Sequence, residues 1–176
     1  MNLYLRLIIA FFRGGLLPSL GVTSKLQRTL RVLPNDIDIN GHLNNGRYST
    51  LLDLLVVESG LRAGILKNAL KLGWKPIAAG SLISYRKQLA LFEKYQIEFE
   101  MECWDDNWNY MKFKFLKMDG SIAATGYVKC GFLSKRGLVK RQVADKKLGM
   151  ERVEKPLTPA IEAWNKSEEA LVSDAT

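Results

Sequence analysis

Histidine and cysteine are nearly absent: His42, Cys103 and Cys130 are the only ones among 176 residues. A structural zinc centre takes four Cys or His ligands, so none can be assembled within one chain, and no metal or redox cofactor is expected. The two cysteines form neither a Cys-x-x-Cys pair nor part of a secreted disulfide framework, and are expected as reduced thiols in strands. Gly-x-Gly-x-x-Gly, Walker-type Gly-x-x-x-x-Gly-Lys-Ser/Thr and Gly-x-Ser-x-Gly are all missing, which removes the common dinucleotide, nucleotide and serine-hydrolase signatures. Long apolar runs are missing too. Met1 to Phe12 is interrupted by Arg6 and followed by Arg13, well short of the ~20 residues of a membrane-spanning helix. No small-x-small cleavage site follows, so a secretory signal is not expected. Acid is absent from the first 35 residues, which hold Arg6, Arg13, Lys25, Arg28 and Arg31. Two readings of this segment stay open: a helix packed on its own domain or a partner subunit, or one whose residues 1–13 lie peripherally on an anionic membrane.

What is present is ordinary for a globular chain, with 47% apolar and 25% charged residues, enough for a proper core and too apolar for intrinsic disorder. The length suits one domain with short appendages: an apolar and basic helical segment over 1–24, a main domain over 25–142 and a helical tail over 143–176. Net charge is +8 and the isoelectric point about 9.5. A polyanionic partner follows from that balance: nucleic acid, an anionic membrane or a phosphorylated small molecule.

Lys25 to Leu33 alternates as a strand does and stops at Pro34-Asn35. A polar loop leads to a helix expected from about Arg47 to Leu66, capped by Asn44 or Asn45 and apolar on nearly every side, hence buried. Strands are expected over 77–89, 95–103, 110–118 and 121–133, the last two joined by the hairpin turn Met118-Asp119-Gly120-Ser121. Lys112 to Lys117 alternates cleanly, so one face of that hairpin should be wet. The tail from about Pro156 is helical. One buried helix followed by four long antiparallel strands implies an α+β fold with a sheet wrapped around that helix.

Chemistry concentrates in the loop Asp36-Ile-Asp38-Ile-Asn40-Gly-His42-Leu-Asn44-Asn45-Gly-Arg-Tyr48. A helix N-terminus offers unpaired N–H groups and partial positive charge, suited to a carbonyl oxygen that becomes an oxyanion. A carboxylate or imidazole a few residues upstream then serves acyl transfer as base or nucleophile. The alternative is a capping loop whose Asp and Asn side chains bond their own backbone.

The loop resembles the Asp-x-Asp-x-Asn-x-His-Val/Leu/Met-Asn-Asn-x-x-Tyr signature of hot-dog acyl thioesterases, of both the 4-hydroxybenzoyl-CoA thioesterase-like group and the plant acyl-ACP enzymes. The start MNLYLRLIIAFFR, the strand Ile83 to Leu89, the Trp104 to Tyr110 block and the tail look like bacterial relatives of the thioesterase superfamily member six proteins. The resemblance implies the hot-dog fold, with an N-terminal helix and a C-terminal helical tail added. It places the catalytic carboxylate at Asp38, with Asn40 and His42 beside it, the Asn45 N–H polarising the thioester carbonyl and Tyr48 at the substrate. A second hot-dog group uses a helix carboxylate about two turns past its oxyanion-binding residue, the position of Asp53. Relatives often carry two arginines and a proline where this chain has Arg86-Lys87-Gln88.

Arg86, Lys87, Lys135, Arg136, Lys140 and Arg141 could meet the phosphates of coenzyme A, the alternative being a solvated basic face. Trp104, Trp108 and Tyr110 are expected to pack in the core or an interface rather than to stack bases, so nucleic acid is not an expected partner. The leading reading is a cytoplasmic acyl-CoA or acyl carrier protein thioesterase, a homodimer or higher homo-oligomer, at the inner membrane face if residues 1–13 touch lipid. Two others stay open. One is an enoyl-CoA hydratase of the same fold, although Asp38 and His42 are one residue closer than usual there. The other is a non-catalytic, membrane-associated acyl-binding protein.

Overall fold

The computed structural model describes residues 3–174. In chain order the elements are α1 (Leu3–Leu16), β1 (Leu26–Arg31), a 3₁₀ turn (Pro34–Asp36), α2 (Asn45–Arg62), α3 (Ile65–Lys71), β2 (Lys75–Tyr85) and β3 (Lys94–Trp104). They continue with β4 (Asn109–Lys117), β5 (Ile122–Ser134), β6 (Gly137–Leu138), α4 (Arg141–Leu148) and α5 (Pro159–Asp174). Six strands form one antiparallel sheet in the order β1-β3-β4-β5-β2, with β6 added to β5. This is the hot-dog arrangement, a curled sheet around α2.

Asn44 caps α2 as expected, its side-chain oxygen accepting from the Gly46 N–H at 2.8 Å. The helix expected over 47–66 ends at Arg62 instead. Gly64 takes a left-handed conformation, φ 72°, and the chain restarts as α3. Leu51, Leu52 and Leu55 bury against Ile97, Phe99, Phe113 and Phe115 of the sheet, each such side chain contributing roughly 1.5–3 kcal/mol. One polar group interrupts the apolar pattern. Glu58, 3% exposed, is paired with Arg13, Arg28 and Arg62, without which a buried carboxylate would cost several kcal/mol.

The β4–β5 turn forms where expected, with Gly120 at φ 82° and Asp119 Oδ1 accepting from the Ser121 N–H. Lys112 keeps to the half-exposed outer face and pairs with Glu102, but α5 covers part of that face. Tyr110 and Lys129, opposite each other in β4 and β5, lie under Trp164, whose ring is 4.8 Å from Lys129 Nζ. Trp104 and Tyr110 are buried, and Trp108 packs with Tyr110.

α1 packs on α2 through Ala10 and Gly14; a Cβ at Gly14 would lie 2.6 Å from Leu61 Cβ. Its opposite face stays in solvent, with Tyr4, Phe12 and Leu16 at 71%, 64% and 80% exposure. Among the described residues no helix is long and apolar enough to cross a membrane. β2 closes one end of the sheet, pairs only with β5 and leaves most of its side chains exposed.

Candidate active site

The loop between β1 and α2 is held from both ends. Asp36 is buried, takes both Arg6 guanidinium nitrogens (3.0 and 2.5 Å) and accepts from the Leu33 N–H. Its carbonyl accepts from Asn44 N–H, and Leu43 N–H donates to Leu89 O. Between these anchors the chain doubles back. Asp38 N–H donates to His42 O and Gly41 N–H to Asp38 O, with Gly41 at φ 76°.

Asp38 is half-buried, and its Oδ1 accepts from the Asn40 N–H at 2.8 Å. That Asx turn is the capping arrangement, yet it uses one carboxylate oxygen and leaves Oδ2 available. Asn40 is exposed, and His42 is half-buried and bridged through its backbone to Ala90. Asn45 is the first residue of α2, where the N–H has no intrahelical acceptor. Its carbonyl accepts from Tyr85 Oη at 3.2 Å, which ties the helix N-terminus to the end of β2. Tyr85 was not legible as a site residue; a tyrosine ending an alternating strand carries no separate signal.

Tyr48 is buried edge-on to Tyr85 and tilted against Phe115. Burial, reinforced by Tyr85 and Glu93, pushes its pKa up to about 12. It is therefore a neutral phenol packed between α2 and the sheet rather than a proton acceptor.

Asp53 stands eight residues past Asn45, ~12 Å along the helix axis. It lines a partly open cavity of about 270 Å³ between α2 and the sheet, with Val56, Val57, Phe99, Met111 and Phe132 among the walls. Asp53 is the only carboxylate among the cavity's described residues. Although its side chain reaches solvent, apolar neighbours desolvate it and raise its pKa above the ordinary value. Cys130 shares the cavity, and burial, with Asp53 nearby, pushes its thiol up to about 12. Asp38, Asn40, His42 and Asn45 do not line this cavity. The linker residues Leu20, Gly21, Val22 and Ser24 do, as does Met150; in sequence they look like ordinary loop and core positions. Among the described residues no cluster of three metal-ligating side chains occurs.

The basic pairs separate. Arg86 and Lys87 follow β2 and border a shallow depression with Ser121 and Thr125, while Lys135 and Arg136 form the β5–β6 turn. The register runs from Lys75↔Leu133 to Tyr85↔Ala124, so the two pairs lie ~30 Å apart within one protomer. Lys140 and Arg141 are tied to Asn107 and Asp106.

Comparison with known proteins is consistent across sequence and structure. The chain is 34% identical over 87 residues to Protein THEM6 of Xenopus laevis, an alignment covering 49% of this chain and 42% of that protein. The chain thus spans less than half the length of that relative. Among solved structures, a Staphylococcus aureus protein in complex with CoA superposes with a TM-score of 0.62 at 16% identity, covering 78% of this chain and 93% of that one. A gentisyl-coenzyme A thioesterase superposes with a TM-score of 0.60 at 14% identity, covering 69% and 99%. At such identities the superpositions speak for the fold. The profile of the thioesterase-like superfamily matches residues 32–163, and the chain belongs to that superfamily.

Proposed function

We propose that the protein hydrolyses acyl-CoA thioesters to a free acid and coenzyme A thiol. The observation that carries this reading is the apolar cavity on whose wall Asp53 is the one carboxylate among the described residues. An acyl chain fills the cavity of one protomer and the thioester carbonyl turns to the Asn45 N–H of the other, which receives the oxyanion. Asp38, seven residues upstream of that Asn45, takes a proton from water as it attacks the carbonyl carbon. The C–S bond then breaks, and the departing thiolate regains a proton through Asp38 or His42.

One carbonyl cannot touch both Asn45 N–H and Asp53 of the same helix, given their ~12 Å axial separation. Two copies remove the conflict. β2 pairs edge to edge and antiparallel with its counterpart, which covers the open strand. Tyr85 of one protomer then neighbours Lys75 of the partner subunit. The Asn45 end of one α2 thereby faces the mouth of the partner's cavity, whose wall includes Pro76 and Ala78. Arg86 and Lys87 meet Lys135 of the partner subunit and Arg136 of the partner subunit, a divided cluster for the CoA phosphates. The partner's Asp53 is then a second candidate base. The apolar outer face of α1 gives this dimer a peripheral membrane contact at the cytoplasmic side.

Incubating purified protein with acyl-CoA and enoyl-CoA panels, while following free thiol and enoyl absorbance separately, tests the reading. Thiol release is expected. Loss of enoyl absorbance without thiol would make the protein a hydratase, and binding without turnover an acyl-binding protein. Sedimentation of an active species at 19.9 kDa would overturn the shared site.

A further inference from the structure

We propose that the groove between α1 and β1 holds the phosphate headgroup of an anionic phospholipid while the outer face of α1 enters the same bilayer. This deepens the membrane-contact reading above and is independent of thioester hydrolysis.

At 100° per residue, the exposed Tyr4, Leu5, Ile8, Phe11, Phe12 and Leu16 occupy one continuous arc of α1, roughly 140° wide. Such an arc on a helix of 14 residues suits embedding ~5–10 Å deep at the headgroup boundary. It is not the face that packs on α2, since Ala10 and Gly14 lie on the opposite side. Going around the helix from the apolar arc, the next residues are Ile9, Arg13 and Arg6, and all three line the groove. Lipid chains and headgroups are therefore addressed by adjoining strips of one helix.

The groove carries unanswered positive charge. Arg6, Arg13, Arg28, Arg31 and Lys94 line it, and Glu58 is its only carboxylate among the described residues. Glu58 is already shared by Arg28, Arg62 and a distant Arg13, whose guanidinium is 3.9 Å away and 47% exposed. Arg6 is answered by Asp36. Arg31 and Lys94 stand directly opposite each other in the β1–β3 ladder, a like-charged pair that weakens a sheet unless an anion lies nearby. Neither has a carboxylate within ion-pair distance among the described residues; Arg31 spends one nitrogen on Phe92 O. Burial and the repulsion of Arg13 and Arg62 lower the Arg28 pKa to about 10, which agrees with a surplus of cations. A phosphate entering beside Arg13, Arg31 and Lys94 would neutralise that surplus.

The test uses the full chain with vesicles of phosphatidylcholine alone or mixed with phosphatidylglycerol, read by co-sedimentation at low and physiological salt. Binding at least ~10-fold tighter to the mixed vesicles, weakened by salt, is expected. Arg13→Gln with Lys94→Gln should cost about fivefold per charge on mixed vesicles. Phe11→Ser with Phe12→Ser should abolish binding to both. These side chains make no contact with the acyl cavity, so thiol release from a soluble short-chain acyl-CoA should stay unchanged; that separates this result from any failure of the hydrolase reading. Equal affinity for the two vesicle types, or mixed-vesicle binding unaffected by the Gln pair, would overturn the headgroup site. If the native chain ignores vesicles and the Ser pair instead lowers its mass in light scattering, a second copy covers α1 and the proposal is wrong.

Discussion

Arg6 of α1 and Asp36 of the β1–α2 loop form a two-pronged ion pair at 3.0 and 2.5 Å, with Asp36 1% exposed. The N-terminal helix is therefore fastened to the loop that carries Asp38, and a membrane-facing α1 would share a rigid connection with the site.

Arg6→Ala would leave Asp36 buried and uncompensated, because among the described residues the Leu33 N–H is the one other donor to its carboxylate. Removing one member of a buried pair typically costs ~3–5 kcal/mol. A urea midpoint well below that of the native chain is expected, with loss of thiol release as the loop loosens. An unchanged midpoint would mean that α1 is a detachable appendage.

Two neighbouring glycines should respond in opposite directions. Gly14 faces Leu61, and an added methyl carbon would sit 2.6 Å from its Cβ; Gly15 has nothing within 4 Å. Gly14→Ala should therefore destabilise by ~1–3 kcal/mol through overpacking, while Gly15→Ala should gain ~0.4–1 kcal/mol from reduced chain entropy. Thermal unfolding of the two variants checks the α1–α2 contact without touching the site.

The loop, the cap at Asn44 and the β4–β5 turn were readable because their signals are local: short polar side chains bonding backbone within three residues, and Gly120 where φ is positive. The Arg6–Asp36 pair was not, since its members are 30 residues apart and Arg6 by itself reads only as a break in an apolar run. The cavity was equally hidden. Its walls come from the linker, α2, α3, four strands and Met150, and apart from Asp53, Asn109 and two serines the wall residues have the apolar character of plain core. The basic residues looked like one cluster because Arg86 and Lys135 differ only in sequence position; strand register is what sends them to opposite ends of β2 and β5.

Asp53→Asn should stabilise the folded protein at neutral pH. Desolvation raises the Asp53 pKa in the folded state, so the folded chain binds more proton than the unfolded one between the ordinary Asp value and the raised one. Stability is thus lost as pH rises through that window. The amide removes the penalty, and the gain in unfolding midpoint should shrink when the comparison is repeated below the ordinary Asp range. A midpoint lowered by Asp53→Asn at pH 7 would show that the carboxylate is held by a favourable partner instead.

Asp38 and Asp53 can be separated by turnover. Asp38 lies in the loop that feeds Asn45, with Oδ1 engaged by the Asn40 N–H and the second oxygen available to activate water. Asp38→Asn keeps the size and the turn-forming carbonyl oxygen but removes the charge, so kcat should fall by at least ~10² while acyl-CoA binding largely persists. His42→Ala should fall between the native chain and Asp38→Asn if the imidazole only orients or protonates. Asp53→Asn should be milder in kcat. If Asp53 were the base, its raised pKa would shift the acid limb of the kcat/KM profile upward, and that limb would vanish in Asp53→Asn. Near-native turnover of Asp38→Asn together with collapse of Asp53→Asn would move proton abstraction from the loop to the helix.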